Sequence, residues 1–361
     1  MRYAPIHRMI RKLICEDDAI GDIISIEHTE TVGWWHFAHS YVRGNWRNEI
    51  TSGPSLLTKS CHDIDFLMWL MCSPTENRPA HLPSRVTAFG DLNHFRRARK
   101  PPAAGTATNC LSCPAETTCH YSAQQIYNTN SLKAGLPGWP VNVVVPEIED
   151  LITEKDGYRE AEKVLMQRLE QDYTSDTPKE VIDQKQWYGR CVYESDNNVC
   201  DDQTVHIAWD DVPLASDGSL IGQTAKSATF HMTAFGDGIC VKRTKIHGTK
   251  GELEYNGQYA RRVDFRTGIV ENLSPPLRLG GHKGGDHGLM KQFVMAIDAV
   301  KNEGMSVQQA QKVFLACSVE DIIRSHAMVF AAEEARKTRS TVDWEEWWRV
   351  NVLKSDTNDR Y

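Results

Sequence analysis

A stretch of alternating residues in the second half of the chain decides the fold. It begins with QTVHIAWDD at residues 203–211 and continues with AKSATFHMTAF at 225–235, CVKRTKIHGT at 240–249, GELEYNG at 251–257 and RRVDFRTG at 261–268. Apolar or β-branched residues alternate with polar ones, and Gly, Asp and Asn stand at the joins, which is typical of strands. Because the strands follow one another closely, the stretch predicts an antiparallel sheet, since parallel pairing needs longer crossovers.

Three more strands are predicted outside this stretch. They are AIGDIISIEHTETVG at 19–33, SRVTAFGDLNHF at 84–95 and STVDW at 340–344. In the first of them, Ile24 and Ile26 alternate with polar neighbours, which is the pattern of a half-buried strand.

Helical spacing of apolar residues marks the remaining elements. It occurs at residues 5–17 and 158–170, at GDHGLMKQFVMAIDAVKN (285–302) and over 306–338. Together, the strands and helices predict an α+β fold: a large, mainly antiparallel open β-sheet covered by helices on one face.

The composition excludes several function classes. The chain has 361 residues, 40% hydrophobic and 25% charged, with a formal net charge of −7. This charge argues against a nucleic-acid-binding or anionic-membrane-binding protein. No apolar run reaches the length of a bilayer span, and the first residues carry charges where a signal peptide is apolar. Ten cysteines in so long a chain indicate reduced thiols, so we expect a cytoplasmic protein.

A second stretch, PSLLTKSCHDIDFLMWLM at residues 54–71, has the residue types of a catalytic site. On a helix, Lys59, His62 and Asp65 are three residues apart and share one face. Histidine can exchange a proton near neutral pH, Lys59 can bind a substrate oxygen, and Asp65 can orient the imidazole. The alternative is an amphipathic helix whose polar residues face solvent, with a buried side formed by Leu57, Cys61, Ile64, Met68 and Met71.

An aromatic and basic loop, WWHFAHSYVRGNWRN at residues 34–48, contains the candidate substrate-binding residues. Arginine and histidine donate hydrogen bonds to hydroxyl or carboxylate oxygens, and indole rings suit the apolar faces of sugars. The candidates are His39, Arg43, Arg47 and Trp35. The alternative is a loop that packs on the sheet or lies in a subunit interface.

Cysteines cluster in NCLSCPAETTCHYSA at residues 109–123. The spacing C-x2-C-x5-C-H indicates a structural metal site, because thiolates favour zinc and a closed site needs four ligands. The predicted ligands are Cys110, Cys113, Cys119 and Cys191, with His120 as an alternative fourth ligand. An iron–sulfur cluster is a further alternative, as is a set of reduced thiols that pack as small apolar groups.

The glycine-rich sequence LGGHKGGDHG at residues 279–288 is not interpreted as a nucleotide loop. It lies between an antiparallel strand and a late helix, and no strand in the chain leads into G-x-G-x-x-G followed by an acidic residue. We expect Asp286 to cap the following helix. His282 is a further candidate substrate residue.

Several of these segments resemble the Gfo/Idh/MocA oxidoreductases, named for glucose–fructose oxidoreductase and inositol dehydrogenase. The resemblance lies in GDIISIEHTETVGWWHFAHSYVRGNWRNE, LLTKSCHDIDFLMWL, IHGTKGELE, GGHKGGDHGLMKQFVMAI and AEEARKT. It covers the family's C-terminal, substrate-binding half. In the family, a helix carries D-x-x-x-H-x-x-D with the histidine beside the reacting hydroxyl. His62 and Asp65 match this motif, whereas Thr58 replaces the first aspartate.

The resemblance implies a domain organisation and a function. Residues 1–20 correspond to the segment that leaves a dinucleotide-binding Rossmann domain, which is otherwise absent from the sequence. Residues 21–345 form the substrate-binding and dimerisation domain, with a Cys-rich loop at 105–122 and an insertion at 136–190, before a polar tail at 346–361. The implied function is an NAD(P)-dependent oxidoreductase that acts on a sugar, a polyol or a derivative. A homodimer or homotetramer through the sheet is also implied.

A second function remains open at this stage. Since the glycine loop is missing, the chain is alternatively an inactive, truncated form that serves as a sugar-binding or oligomerisation module.

Overall fold

The computed structural model describes residues 1–74, 79–154, 156–214, 221–275 and 284–353. The strands in these ranges are β1 (Ile23–Gly33), β2 (Arg85–Asp91), β3 (Asp202–Trp209), β4 (Val212–Pro213), β5 (Ile221–Gln223), β6 (Lys226–Gly236), β7 (Cys240–Gly248), β8 (Gly251–Tyr255), β9 (Ala260–Asp264), β10 (Val270–Leu273) and β11 (Val342–Asp343). Nine of them form one sheet in the order β10–β9–β8–β7–β1–β6–β3–β2–β11, while β4 pairs with β5.

The helices in the same ranges vary greatly in length. They are α1 (Pro5–Cys15), α2 (Trp34–Phe37), α3 (Ser55–Thr58), α4 (Cys61–Cys72), α5 (Val141–Val144), α6 (Ile148–Leu151), α7 (Gly157–Glu170), α8 (Lys179–Gln184), α9 (Gly285–Asn302), α10 (Val307–Ala310), α11 (Val319–Thr338) and α12 (Trp344–Trp348). Among these described helices, none has both the length and the apolar character needed to cross a bilayer.

The predicted α+β fold with a large, mainly antiparallel sheet is confirmed. Strands β6, β3, β2 and β11 pair antiparallel in that order, and so do β1, β7, β8, β9 and β10. The exception is at the centre of the sheet, where β1 pairs in parallel with β6. The exception is consistent with the long connection between these two strands, because parallel pairing requires a crossover rather than a hairpin.

Strand β1 departs from the predicted alternation at its start. The pairing register of β1 with β7 shifts between Ile23 and Ser25, which is an irregularity of the β-bulge type. As a result, Ile24 is 44% exposed while Ile23 and Ile26 are buried. The alternation of buried and exposed residues in β1 therefore starts at Ile26 rather than at Ile24.

The stretch predicted as one helix at residues 54–71 folds as two helices. Helix α3 ends at Thr58, and α4 begins at Cys61 after a break at Lys59 and Ser60. From Ile64 to Cys72, α4 is buried at every position except Asp65. A helix that is apolar nearly all round lies inside a core, and α4 packs between the sheet and α11. The alternative prediction, an amphipathic helix with one buried side, therefore underestimated how much of α4 is buried.

The chain has two clusters of buried apolar residues. The larger one joins the inner face of the sheet to α1, α4 and α11. The smaller one is formed by residues 110–188 around α7, where Ala161, Leu165 and Leu169 are fully buried. Helix α1 belongs to the larger cluster through Ile6, Ile10 and Ile14. The domain boundaries given above remain predictions.

A capping box begins α11, and it provides a test of local stability. The Asp321 amide donates to Ser318 Oγ at 3.0 Å, and the Ser318 amide donates to Asp321 Oδ2 at 2.9 Å. We expect Ser318→Ala to lower the free energy of unfolding by about 1 kcal/mol, because the Asp321 amide loses its partner. Urea denaturation of both proteins measures this difference. An unchanged midpoint would contradict the capping role.

Candidate active site

Two polar residues occupy the buried face of the central strand β1. His28 and Glu30 lie on the side that faces α4, between the core residues Ile26 and Val32, and both are buried. A carboxylate and an imidazole in such a position must be paired with other polar groups.

Glu30 is held between two lysines. Lys59, at the break between α3 and α4, donates to Glu30 Oε1 at 2.7 Å, and Lys242 on β7 donates to Glu30 Oε2 at 2.6 Å. Lys242 is the cross-strand partner of Glu30 in the β1–β7 register. Burial opposes ionisation of Glu30, but the two ammonium groups outweigh it and lower the pKa of this carboxyl. Burial also disfavours the charged form of Lys59, whereas the Glu30 carboxylate raises the pKa of Lys59.

Asp63 extends this network into α4. Its carboxylate contacts Lys242 Nζ and lies 2.9 Å from His28 Nε2. The other ring nitrogen of His28 lies 2.7 Å from Thr244 Oγ1 on β7. Burial opposes ionisation of Asp63, but the neighbouring Lys242 charge dominates, and the pKa of Asp63 falls below its usual value. Two lysines therefore face two carboxylates in a buried set with balanced charges.

His62 is the member of the site that reaches the surface. Its side chain is 41% exposed, whereas Asp63 beside it is fully buried. His62 Nε2 lies 3.5 Å from Lys242 Nζ and 3.2 Å from Asp63 Oδ2. Partial burial lowers the pKa of His62, and the Lys242 charge lowers it as well. The Asp63 carboxylate opposes both effects, and the resulting pKa is about 4. The imidazole is therefore neutral at physiological pH and able to accept a proton.

This shift predicts a measurable pH dependence. The ordinary pKa of histidine is 6.5. Between pH 6.5 and about 4, the unfolded chain therefore holds a proton on His62, whereas the folded chain does not. Stability contributed by His62 is therefore present above pH 6.5 and is lost as the pH falls through this window. We expect the NMR signal of the His62 ring, assigned by its absence in His62→Ala, to titrate with a midpoint of about 4. A midpoint near 6.5 would contradict the arrangement.

The acidic neighbour of His62 is Asp63 rather than the predicted Asp65. Asp65 accepts two hydrogen bonds from the Arg2 guanidinium, at 2.9 and 2.7 Å. Thr58, which stands where the family motif has an aspartate, donates to Pro54 O within its own turn. Lys59 lies in the same network as His62, but it contacts Glu30. Glu30, Asp63 and Lys242 were not predicted from the sequence as site residues. The one available signal for them was the presence of polar residues at inward-facing positions of a predicted strand.

Three of the four candidate substrate residues in the aromatic loop lie inside the protein. His39, Arg43 and Arg47 are 2%, 1% and 3% exposed. His39 Nδ1 lies 3.0 Å from the Tyr127 hydroxyl, and burial lowers the pKa of His39 to about 3. Arg47 donates to Asp196 Oδ1 at 2.7 Å and to Ile182 O at 2.5 Å. In this structure, these side chains join the loop to the segment that covers it.

Among the four candidates in the aromatic loop, Trp35 is the partly exposed one. Its ring packs against Trp139 at 5.0 Å between centroids, and Trp139 also packs edge-on against His36 at 4.9 Å. Burial and the nearby Lys59 charge together lower the pKa of His36 to about 4. His36 therefore lies close to the lysine network. Sequence reasoning missed His36 and Trp139 as members of this aromatic group.

The four predicted metal ligands line one cavity of about 210 Å³. Across the residues that the structure describes, however, no group of three or more His, Cys, Asp or Glu side chains is placed to hold a metal ion. Instead, the Arg43 guanidinium lies among the thiols and donates to Cys110 Sγ at 3.4 Å. The placement of these side chains therefore gives no support to the predicted zinc site.

Two predictions concern the glycine-rich sequence before α9. His282 lies outside the described residues. Asp286 was expected to be the N-cap of α9; that position is held by Gly284, and Asp286 lies in the first turn instead. An acidic residue there still interacts favourably with the helix dipole.

Comparison with solved structures places the chain beside proteins of low sequence identity. Levoglucosan dehydrogenase in complex with NADH and levoglucosan is 14% identical with a TM-score of 0.48, and an oxidoreductase domain protein from Kribbella flavida is 14% identical with a TM-score of 0.49. A super-repressor mutant of Gal80p from Saccharomyces cerevisiae is also 14% identical, with a TM-score of 0.48. Each match covers 95% of this chain, but the chain spans only 63–64% of those proteins.

No match was found among curated proteins. A family model does match part of the chain: residues 11–135 fit the one described as oxidoreductase family, C-terminal alpha/beta domain. This range contains β1, α4 and His62. Over residues 11–135, the chain is therefore similar to the C-terminal alpha/beta domain of the Gfo/Idh/MocA oxidoreductase family.

Proposed function

We propose that this chain is the substrate-binding part of an NAD(P)-dependent oxidoreductase that acts on a sugar, a polyol or a derivative, with His62 as the proton-transfer residue. One observation carries the proposal. His62 is the half-exposed end of a network of lysines and carboxylates that is otherwise buried or nearly so.

The network suits the chemistry of a hydroxyl group. Oxidation of a carbinol requires removal of the hydroxyl proton, and a neutral imidazole accepts it. Negative charge that develops on the oxygen would then lie beside Lys242, whose Nζ is 3.5 Å from His62 Nε2. A fixed ammonium group near developing charge stabilises a transition state without reorganisation. Glu30 and Asp63 hold Lys242 in place.

The aromatic group beside the network suits the substrate class. Trp35, His36 and Trp139 present ring faces and an imidazole near Lys59. Sugar rings have apolar faces, which pack on indole rings. They also have hydroxyl groups, which form hydrogen bonds with imidazole. Ligand pockets commonly combine apolar walls with a few polar groups in this way.

This sequence does not contain the loop that usually binds the pyrophosphate of a dinucleotide. The sequence contains no strand that leads into G-x-G-x-x-G, the loop whose backbone amides bind a pyrophosphate. A bound nicotinamide would supply the hydride acceptor or donor. We assign the proton-transfer and substrate roles to the described residues, and we expect a dinucleotide to bind only weakly because this sequence lacks the pyrophosphate loop.

Calorimetry on the purified chain tests the proposal. We expect a sugar or polyol to bind, and we expect His62→Ala to weaken that binding because an imidazole contact is lost. We also expect NAD or NADP to bind at millimolar concentration. Sugar binding with no heat from either dinucleotide would overturn the dehydrogenase proposal for the isolated chain.

That last outcome would favour a second function. The absence of the glycine loop from the sequence is the observation behind a sugar-binding or oligomerisation module without catalysis. Self-association through the sheet and a cytoplasmic location remain predictions under either function, and sedimentation measurements would test the first of them.

A further inference from the structure

Helix α9 buries its smallest apolar side chains and exposes its larger ones. The buried residues of this helix are Ala296 and Ala299, and the helix packs against α10 and the π-helical segment Gln311–Leu315. Five larger apolar residues are 43–60% exposed: Leu289, Met290, Phe293, Val294 and Ile297. A surface helix usually turns its large apolar residues toward the core, and a contiguous apolar patch on the outside marks an interaction surface.

The exposed side of α9 is symmetric about the midpoint of the helix. The helix runs from Gly285 to Asn302, so its midpoint lies between positions 293 and 294. Six residues, which we call the α9 stripe, lie within about 100° of one another around the helix axis. They form three pairs, each at equal distances from the midpoint: Asp286 with Lys301, Met290 with Ile297, and Phe293 with Val294. A two-fold axis through the midpoint therefore brings the two members of each pair opposite one another in an antiparallel copy of the helix.

The charges at the two ends of the stripe favour an antiparallel copy. Asp286 and Lys301 are both exposed, and they are about 22 Å apart along the axis, which is too far for them to pair within one helix. In an antiparallel pair of helices, each end joins an acid to a base, whereas a parallel pair places like charges together. Complementary charges of this kind fix the orientation and register of an interface.

We propose that the α9 stripe is a homodimer interface, in which α9 packs antiparallel against α9 of a second copy of this chain. A two-fold interface uses the same surface on both copies, so that surface must be complementary to itself. The stripe takes steps of four, three and four residues over positions 286, 290, 293 and 297, which is the spacing of a helix–helix seam. None of its residues belongs to the His62 network or to the sheet, so the interface goes beyond the proposed function and beyond self-association through the sheet.

Sedimentation velocity of the full chain over a series of concentrations tests this interface. A helix of this length is about 27 Å long, so the contact is small, and we expect a dimer dissociation constant of about 1–100 μM. Phe293→Asp places two carboxylates beside the two-fold axis and should weaken this association at least about 100-fold. Phe89→Asp is the matched control, because Phe89 is a 71% exposed aromatic residue on β2 of the sheet. It should associate as the wild type does.

A charge exchange keeps the test decisive if Phe293→Asp does not fold. Asp286→Lys and Lys301→Glu each put like charges at both ends of the interface, so each should weaken self-association about tenfold. An equimolar mixture of these two variants should associate as tightly as the wild type, because every end then joins opposite charges. A mixture that associates no more tightly than either variant alone would overturn the proposal.

Two results of sedimentation would also overturn it. One is a Phe293→Asp variant that associates as the wild type does, above all if Phe89→Asp does not, since the contact would then lie on the sheet. The other is a wild-type chain that stays monomeric at about 500 μM, well above the expected dissociation constant. The α9 stripe would then belong to an interface with a different protein.

Discussion

Replacing Glu30 with alanine is expected to lower the free energy of unfolding by about 3–5 kcal/mol, because the change leaves buried charge without its partner. Lys59 and Lys242 both donate to this carboxylate, and their side chains are only 7% and 13% exposed. Without Glu30, the Asp63 carboxylate alone would face two ammonium groups. Chemical denaturation at neutral pH, compared with the wild type under the same conditions, measures the effect.

Glu27 provides the matched control for this prediction. It is a glutamate on the same strand, but it points to the exposed face of the sheet. Glu27→Ala should change the free energy of unfolding by no more than about 0.5 kcal/mol, as is usual for a surface substitution. If both variants were equally stable, Glu30 would not be the residue that holds the two lysines.

Replacing His62 with alanine is expected to reduce the turnover of a sugar or polyol substrate by about 10²–10⁴-fold, the usual contribution of a positioned general acid or base. Because the side chain is 41% exposed, the fold should tolerate the change. Initial rates and thermal unfolding of the same preparation separate these two effects.

His231→Ala is the control for His62. His231 lies on the outer face of β6, is also partly exposed and pairs with Asp202 at 3.1 Å. It takes no part in the lysine–carboxylate network, so its removal should leave turnover unchanged. Normal turnover in His62→Ala, or equal losses in the two variants, would mean that His62 does not transfer the proton.

The strands of the sheet could be predicted from the sequence because their pattern is local. Each of the strands between Gln203 and Asp264 alternates over a few residues and ends at Gly, Asp or Asn. The parallel pairing of β1 with β6 could not be predicted in the same way, since it depends on contacts between residues about 200 positions apart. The irregularity at Ile24 also depends on pairing, in this case with β7.

The site could be predicted only where its residues are neighbours in sequence. Lys59 and His62 are three positions apart, so their helical spacing was visible. Lys242 and Glu30 are separated by 212 positions and meet only because β7 pairs with β1.

The cover over the aromatic loop could not be predicted for a related reason. Basic residues in a loop are usually exposed, but Arg43 and Arg47 donate to residues 110–196, which fold over them. Nothing in the loop's own sequence indicates that cover.

The most direct measurement of the central claim follows a deuterium atom. The purified chain would be incubated with NAD or NADP and with sugars and polyols that carry deuterium on the carbinol carbon. The account predicts that a substrate which binds also transfers deuterium to the nicotinamide, and that His62→Ala prevents the transfer. A sugar or polyol that binds saturably to the wild type together with the dinucleotide, but transfers no deuterium, would contradict it.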